Sequence, residues 1–351
     1  MEDKIRQILE LAIRAPSGEN CQPWKFQIQG NQLTIWNMPE RDSSLYSWGQ
    51  RPSYVAHGAF LESVAIAAPA FGLSPRIELF PDSTKTECVA RIVFEESQQK
   101  IHPLYQFITE RVTNRKVYKK IVLTKEQKEE LSSIHIGLER GKIIFVEQEQ
   151  DIKTIAQAIA GNERIIFENP YMHKFFYDHI TWTEQEDLGK KIGFYVKTFE
   201  LPMPAEKIFK LAKSKTFVKF ANKIGFSKMI AKQNAKVYSS ASAVGAIIMY
   251  SNSSVDFIVA GRLIQRIWLT VTKLGLSLQP LTGILFLYQR VSQQQTDKLS
   301  PGQIDFIQEQ YKRIKETFGV DNETIAMLFR IGDGGSPTAR SLRLPLTVQE
   351  F

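Results

Sequence analysis

Three short stretches carry the residues whose types and spacing could do chemistry. The first is "RAPSGENCQPWKF", Arg14 to Phe26, which follows a short helical pattern. Pro16 ends the helix and Gly18 allows an unusual backbone turn. That leaves the Ser17 hydroxyl, the Asn20 amide and nearby N–H groups free to point at one ligand, with Trp24 as an aromatic wall. The same residues would also serve as a helix-to-strand connection with a packed Trp. The second stretch is "ITERVTNRKVYKK", Ile108 to Lys120, where Arg111, Thr113 and Arg115 alternate and share one face if the segment is extended. Two guanidiniums and a hydroxyl suit a phosphate, because each guanidinium fork donates two charge-assisted hydrogen bonds. A solvated basic strand is the plainer alternative. The third is "GSPTARSLRLPL", Gly335 to Leu346, an extended strap by virtue of Pro337 and Pro345, with Arg340 and Arg343 in it.

The elements that position these stretches include an internal similarity. "HGAFLESVAIAAPAFGLSP" (His57 to Pro75) resembles "AGRLIQRIWLTVTKLGLSL" (Ala260 to Leu278). In each, the spacing predicts a helix opened by a Gly (Gly58, Gly261) and closed by a second (Gly72, Gly275), where a left-handed backbone is needed. Each helix is followed by a strand-like run, "ECVARIVFEE" and "TIAMLFRIGD". The offset between the copies, 203 residues (58 to 261, 72 to 275), is far too long for a solenoid and points to two related halves. The expected division is 1–103 and 104–351, the second half carrying a helical, lysine-rich insertion at about 150–240.

The 351 residues can bury a large core, and 43% hydrophobic with 23% charged is ordinary for a folded soluble chain. Cys21, Cys88 and five scattered histidines offer no metal-ligand spacing and no disulfide framework, so no metal is expected and a cytoplasmic, reduced protein is the simplest reading. The acidic start lacks the basic flank of a signal peptide, and no run reaches the length of a membrane span. The net charge of +8 favours anionic partners, and much of it is local. Lys207 to Lys236 holds nine lysines and no Asp or Glu, with apolar residues at helical spacing. Such a stretch can lie on a membrane, but a lid or surface helix pair is the simpler reading. No nucleic-acid module is recognisable.

Taken together the three stretches resemble the nitroreductase-like flavoproteins. The first is similar to that family's "APSxxNxQPW" element, and Arg111-Val-Thr-Asn-Arg115 to its "RxSxR" element, with Thr113 in place of Ser. With one arginine element and one Pro-Ser-Asn loop, the chain resembles the single-chain, internally duplicated (Acg-like) branch, in which two halves imitate a dimer. The resemblance covers about 1–120 and 240–351, and implies an α+β fold of central mixed sheets flanked by helices. It implies one FMN per chain, its phosphate held by Arg111, Thr113, Asn114 and Arg115 with Arg343 closing from the tail. Pro16, Ser17, Gly18 and Asn20 would approach the ring from one half, and Leu281, Thr282, Gly283 and Ile284 from the other. "FENPYMHKFFYDH" (Phe167 to His179) does not match the loop motif, so a second site should be degenerate. The implied activity is reduction of nitroaromatics, quinones or similar small acceptors by NAD(P)H through FMN, with no protein acid or base demanded. An FMN-sequestering protein with the insertion as a lid is the alternative. His57, His102 and Cys21 read as structural. A homodimer is possible, although one chain would suffice.

Overall fold

In the computed structural model, which describes residues 1–134 and 138–349, the chain folds as α+β. The N-terminal part runs α1 (Glu2–Ala12), β1 (Trp24–Gln29), β2 (Gln32–Asn37), α2 (Arg51–Ala67), β3 (Leu73–Leu79) and β4 (Cys88–Glu96). After α3 (Phe107–Glu110) and α4 (Lys125–Ser132) comes β5 (Gly141–Val146). A long excursion follows: α5 (Glu149–Ile159), α6 (Gly161–Glu168), α7 (Pro170–Asp178), β6 (Ile180–Thr181), α8 (Glu184–Lys190), β7 (Phe194–Tyr195), α9 (Met203–Leu211), α10 (Lys215–Asn222) and α11 (Phe226–Tyr238). The chain then forms β8 (Ala243–Met249), α12 (Ser254–Lys273), β9 (Ser277–Pro280), α13 (Gly283–Ser292), α14 (Pro301–Phe318), β10 (Thr324–Gly332) and β11 (Val348–Gln349).

The strands make a five-stranded mixed sheet, β11-β1-β2-β4-β3, and a four-stranded antiparallel sheet, β5-β8-β10-β9. The C-terminal β11 pairs parallel to β1, which brings the far end of the chain back to the Pro-Ser-Asn loop. Between the sheets lie α2 and α12, the two helices expected from the internal similarity. β8, "AVGAIIM", is apolar throughout because both its faces are covered. Ala243, Ile247 and Met249 face the core shared with α2 and α12, while Val244, Ala246 and Ile248 face a second core built with α5, α6, α13 and α14.

The glycines do not open their helices, as the spacing suggested. Each helix begins two turns earlier, at Arg51 and Ser254, and Gly58 and Gly261 lie where the helices cross. A Cβ on Gly58 would sit 2.0 Å from the Ile258 carbonyl oxygen, and one on Gly261 would sit 2.0 Å from that of Val55. The contact is backbone on backbone, so only glycine fits. Next to the crossing, buried Glu62 accepts from Arg262 Nε (3.0 Å) and Arg266 Nε (2.7 Å), and Gln265 Nε2 donates to Ser63 Oγ (2.9 Å). The closing glycines behave as expected, Gly72 at φ 69° and Gly275 at φ 70°.

The excursion is helical, as expected, but α5 and α6 belong to the second core through Ile152, Ile155, Ile159 and Ile165. Met172 and Tyr177 of α7 and Phe226 and Tyr238 of α11 join the same core. Among the described residues one helical stretch, Trp48–Phe71, is long and apolar enough to cross a membrane. It contains α2, the central core helix, and 72% of its most apolar window is buried inside the protein.

Candidate functional site

The turn after α1 is made differently from the sequence expectation. Gly18 does not adopt a left-handed backbone; Glu19 (φ 44°), Asn20 (φ 54°) and Gln22 (φ 50°) do. For residues with a Cβ this costs about 1–2 kcal/mol each, so surrounding bonds must hold them. They do so through the side chains that the motif supplies. Asn20 Nδ2 donates to the Lys191 and Leu342 carbonyls (3.0 Å each), and its Oδ1 accepts from Arg343 Nη1 (2.8 Å). Gln22 Nε2 donates to the Lys191 carbonyl (2.8 Å), and its Oε1 accepts from Leu344 N (2.9 Å). Ser17 Oγ accepts from Gln22 N (3.0 Å). The loop is therefore clamped between the C-terminal strap and the segment after α8. Pro16 and Ser17 are half-buried, Gly18 is exposed, and Trp24 packs on Phe60 with ring centroids 5.6 Å apart.

Arg111 is buried, with its guanidinium 4.4 Å over the ring of Trp268, and Nη2 donates to the Arg14 carbonyl (2.7 Å). Among the described residues its buried Nε has no partner. Arg340 Nη2 reaches the carbonyls of Thr109 (2.8 Å), Glu110 and Arg111 (3.1 Å). Arg343 donates from Nε to Ile13 (3.0 Å) and from Nη2 to Arg14 and Ala15 (3.1 Å each), capping the C-terminus of α1. Burial, and then the charges of Arg343 and Arg340, pull the Arg111 pKa well below the usual value; burial and neighbouring arginines bring Arg343 to about 10. Among the described residues no carboxylate forms an ion pair with Arg111, Arg340 or Arg343; the α1 carbonyls offset only part of this charge.

Arg115 lies elsewhere. Its Nη1 donates to the Thr198 carbonyl (3.1 Å), and its guanidinium lies over the rings of Phe194 (5.6 Å) and Phe199 (5.7 Å). Arg111 and Arg115 share no hydrogen-bond partner among the described residues. Between them, Thr113 pairs in parallel with Leu278 beside the four-stranded sheet. Asn114 is buried and ties the strap in place, donating from Nδ2 to the Gly335 carbonyl (2.7 Å) and Ser277 Oγ (3.0 Å).

The 281–284 segment starts α13. Leu281 N is already bonded to the Leu328 carbonyl (2.8 Å), Leu281 and Ile284 are buried, and Thr282 is the N-cap. Gly283 allows a close approach, but by a protein group: a Cβ there would lie 2.4 Å from the Asn162 side chain. Asn162 Oδ1 in turn accepts from Tyr46 OH (2.9 Å), and the Tyr46 hydroxyl is raised by burial and then by the charge of Glu19. Gly283 and the loop residue Glu19 are thus joined through Tyr46 and Asn162.

Two carboxyls of this region escaped the sequence reading. Glu163 Oε1 accepts from Tyr238 OH (2.7 Å), its buried Oε2 has no partner among the described residues, and burial pushes its pKa up to about 7. Glu19 is pushed to about 8 by burial and then by Asp42. Both residues keep some accessible surface although burial dominates their shifts. Protonated, each can donate a hydrogen bond that a carboxylate cannot. Glu19 lies within the quoted loop and was legible in principle; Glu163 sits on α6 with no motif to mark it. His57 is buried, paired with Asn37 Oδ1 (3.0 Å), and lowered to about 3 by burial, so it is neutral and structural. Burial raises the Cys21 thiol, which leaves it unreactive.

No family model matches the chain. It is 24% identical over 346 residues to an uncharacterized protein of Mycobacterium tuberculosis (strain CDC 1551 / Oshkosh), covering 96% of this chain and 46% of that protein. It is 30% identical over 94 residues to a protein of the same strain provisionally named NAD(P)H nitroreductase acg, covering 26% of this chain and 28% of that one. The chain therefore spans less than half the length of these curated relatives. Among solved structures it is similar to a nitroreductase with bound FMN from Desulfitobacterium hafniense DCB-2, at TM-score 0.37 and 12% identity, covering 72% of this chain and 100% of the other. The sequence likeness to a relative named for NAD(P)H nitroreductase activity covers about a quarter of the chain.

Proposed function

We propose that the chain is an FMN-dependent oxidoreductase that takes reducing equivalents from NADPH or NADH and passes them to a small electron-poor acceptor such as a nitroaromatic or a quinone. The observation that carries this reading is the arginine cluster. Arg111, Arg340 and Arg343 are packed together at the ends of α1 and α3, where among the described residues none forms an ion pair with a carboxylate although the charge of Glu110 acts on Arg340, and the Nε of Arg111 is buried and unpartnered. Such a cluster suits a phosphate dianion, which would relieve the repulsion and accept the free donor. Arg111, with Arg343, would hold the phosphate end, and Pro16, Ser17, Gly18 and Asn20 would approach the ring; Arg115, whose nearest partners lie in the excursion, would act on the phosphate only after its bond to Thr198 is exchanged. Thr113 and Asn114 would set the Arg111 backbone by docking on β9. FMN, when bound, supplies the hydride chemistry. Glu19 and Glu163, whose pKa values burial raises to about 8 and about 7, would hold protons beside Gly283 and Asn162.

The division at 103/104 into two related halves belongs to the same proposal. It is supported by the crossing of α2 and α12 at Gly58 and Gly261 and by the reciprocal contacts Glu62–Arg266 and Ser63–Gln265 across it.

The second reading, a protein that sequesters FMN, is favoured by the ties that fasten the excursion over the site. Asn20 and Gln22 hold the Lys191 carbonyl, Arg115 holds that of Thr198, and Glu200 accepts from Thr338 N (2.6 Å) and Oγ1 (2.5 Å) of the strap. Reduction by nicotinamide requires these ties to open; storage does not.

Flavin retention through gel filtration by the protein and by an Arg111→Ala/Arg115→Ala variant tests the site. Stoichiometric FMN in the first and none in the second is expected. Full occupancy in the double variant would overturn the assignment.

A further inference from the structure

The sequence reads the lysine-rich stretch most simply as a lid or surface helix pair, and an amphipathic helix of a soluble protein ordinarily turns its apolar side to the core. The structure turns much of that apolar side outward. The described residues include fourteen exposed large hydrophobic side chains, and seven of them fall between Met203 and Met229. Met203 is 76% exposed, Leu211 60%, Phe220 62% and Ile224 90%. These are surplus to the packing of the helices, which is done by other residues. Phe209 of α9 packs on Tyr177 (5.3 Å) and Phe199 (5.4 Å), Val218 of α10 is buried, and Phe226 of α11 packs on Phe167 (5.5 Å).

The outward residues have a pattern. Phe217, Phe220 and Ile224 follow one another at helical spacing along α10 and its end, and form one stripe. Lys215, Lys219 and Lys223 form the neighbouring stripe, also at helical spacing. All nine lysines from Lys207 to Lys236 are exposed, and none forms an ion pair with a carboxylate among the described residues.

We propose that α9, α10 and the start of α11 form a docking surface for an anionic lipid bilayer. The apolar stripe would enter the boundary between headgroups and acyl chains, and the lysines would meet the headgroup phosphates. The chemistry of the face selects this occupant. Nucleic acid would satisfy the lysines but leave Leu211, Ile224 and Met203 against water. A second copy of the same face would set nine lysines against nine. A fluid hydrocarbon layer takes aliphatic and aromatic tips of any shape, and its anionic surface takes the surrounding charge. This surface is independent of the flavin reading and stands or falls separately.

The test is co-sedimentation of the whole protein with phosphatidylcholine vesicles, with and without phosphatidylserine, at low and high salt. Binding to the phosphatidylserine vesicles that weakens with salt is expected. Lys215→Gln/Lys219→Gln/Lys223→Gln should lower the partition coefficient about a hundredfold. Phe220→Ser/Ile224→Ser should lower it at least about tenfold, and both variants alter exposed side chains, so the fold is kept. No binding to phosphatidylserine vesicles at low salt would overturn the proposal, and so would binding unaffected by both variants. Concentration-dependent self-association lost in Phe220→Ser/Ile224→Ser, without vesicle binding, would assign the face to a second copy instead.

Discussion

Replacing Arg111 by methionine separates a structural arginine from one kept for an anion. Among the described residues this guanidinium makes one hydrogen bond, to the Arg14 carbonyl, and stacks on Trp268, while its Nε is unpartnered and Arg340 and Arg343 crowd it. The hydrogen bond is worth roughly 1.5–3 kcal/mol net. Against it stand the desolvation of a buried cation, several kcal/mol, and repulsion from its neighbours. Methionine keeps the contact with Trp268 and removes the penalty. The stability of the flavin-free protein in urea should therefore change by less than about 1 kcal/mol or rise. FMN binding should respond in the opposite sense. Two charge-assisted bonds to phosphate, roughly 1.5–3 kcal/mol each, amount to a loss of at least about a hundredfold in affinity, measured by quenching of flavin fluorescence. A variant destabilised by more than about 3 kcal/mol that still binds FMN within about threefold of the parent would refute the reasoning, because Arg111 would then be a structural residue.

Other outcomes follow from the same geometry. Gly261→Ala should lose at least about 2 kcal/mol in urea unfolding, since its Cβ would meet backbone; a gain of about 1 kcal/mol, as at an open helical glycine, would contradict the packing at the crossing. The raised carboxyls Glu163 (about 7) and Glu19 (about 8) contribute stability that is fully present below 4.5 and is lost as pH rises through those values. Stability should fall across that window, and Glu163→Gln should flatten the fall by about 3 kcal/mol; an unchanged pH profile would mean the carboxyl is solvated. Glu200→Gln loosens the tie to the Thr338 strap and should speed reduction of bound flavin several-fold, with a stability change below about 1 kcal/mol; an unchanged rate would show that this tie does not gate access.

Much of the scaffold was legible. The helices at 51–67 and 254–273, their left-handed glycine ends and the strands after them follow from local chemistry: helical period, a closing glycine, apolar runs. The role of Gly58 and Gly261 was not, because a glycine at a helix crossing has the same local signature as one at a helix start, and the partner carbonyl is about two hundred residues away. The loop motif marked its region but not its mechanics. Asn20 and Gln22 adopt the strained backbone themselves, and the groups that hold them, Lys191, Leu342 and Leu344, lie far along the chain. Strict alternation of Arg111 and Arg115 suggested convergence, yet their partners diverge to α1 and to the excursion. Glu163 had no signal, since its raised pKa is made entirely by what covers it.

The most direct measurement is the visible absorption spectrum of the purified protein, incubated with FMN, gel-filtered, and then treated anaerobically with NADPH and with NADH. One flavin per chain, bleached by at least one of the two, is the expected result. A preparation that retains no flavin would contradict the phosphate assignment at Arg111, and a retained flavin that only dithionite bleaches would contradict the oxidoreductase and leave the sequestering protein.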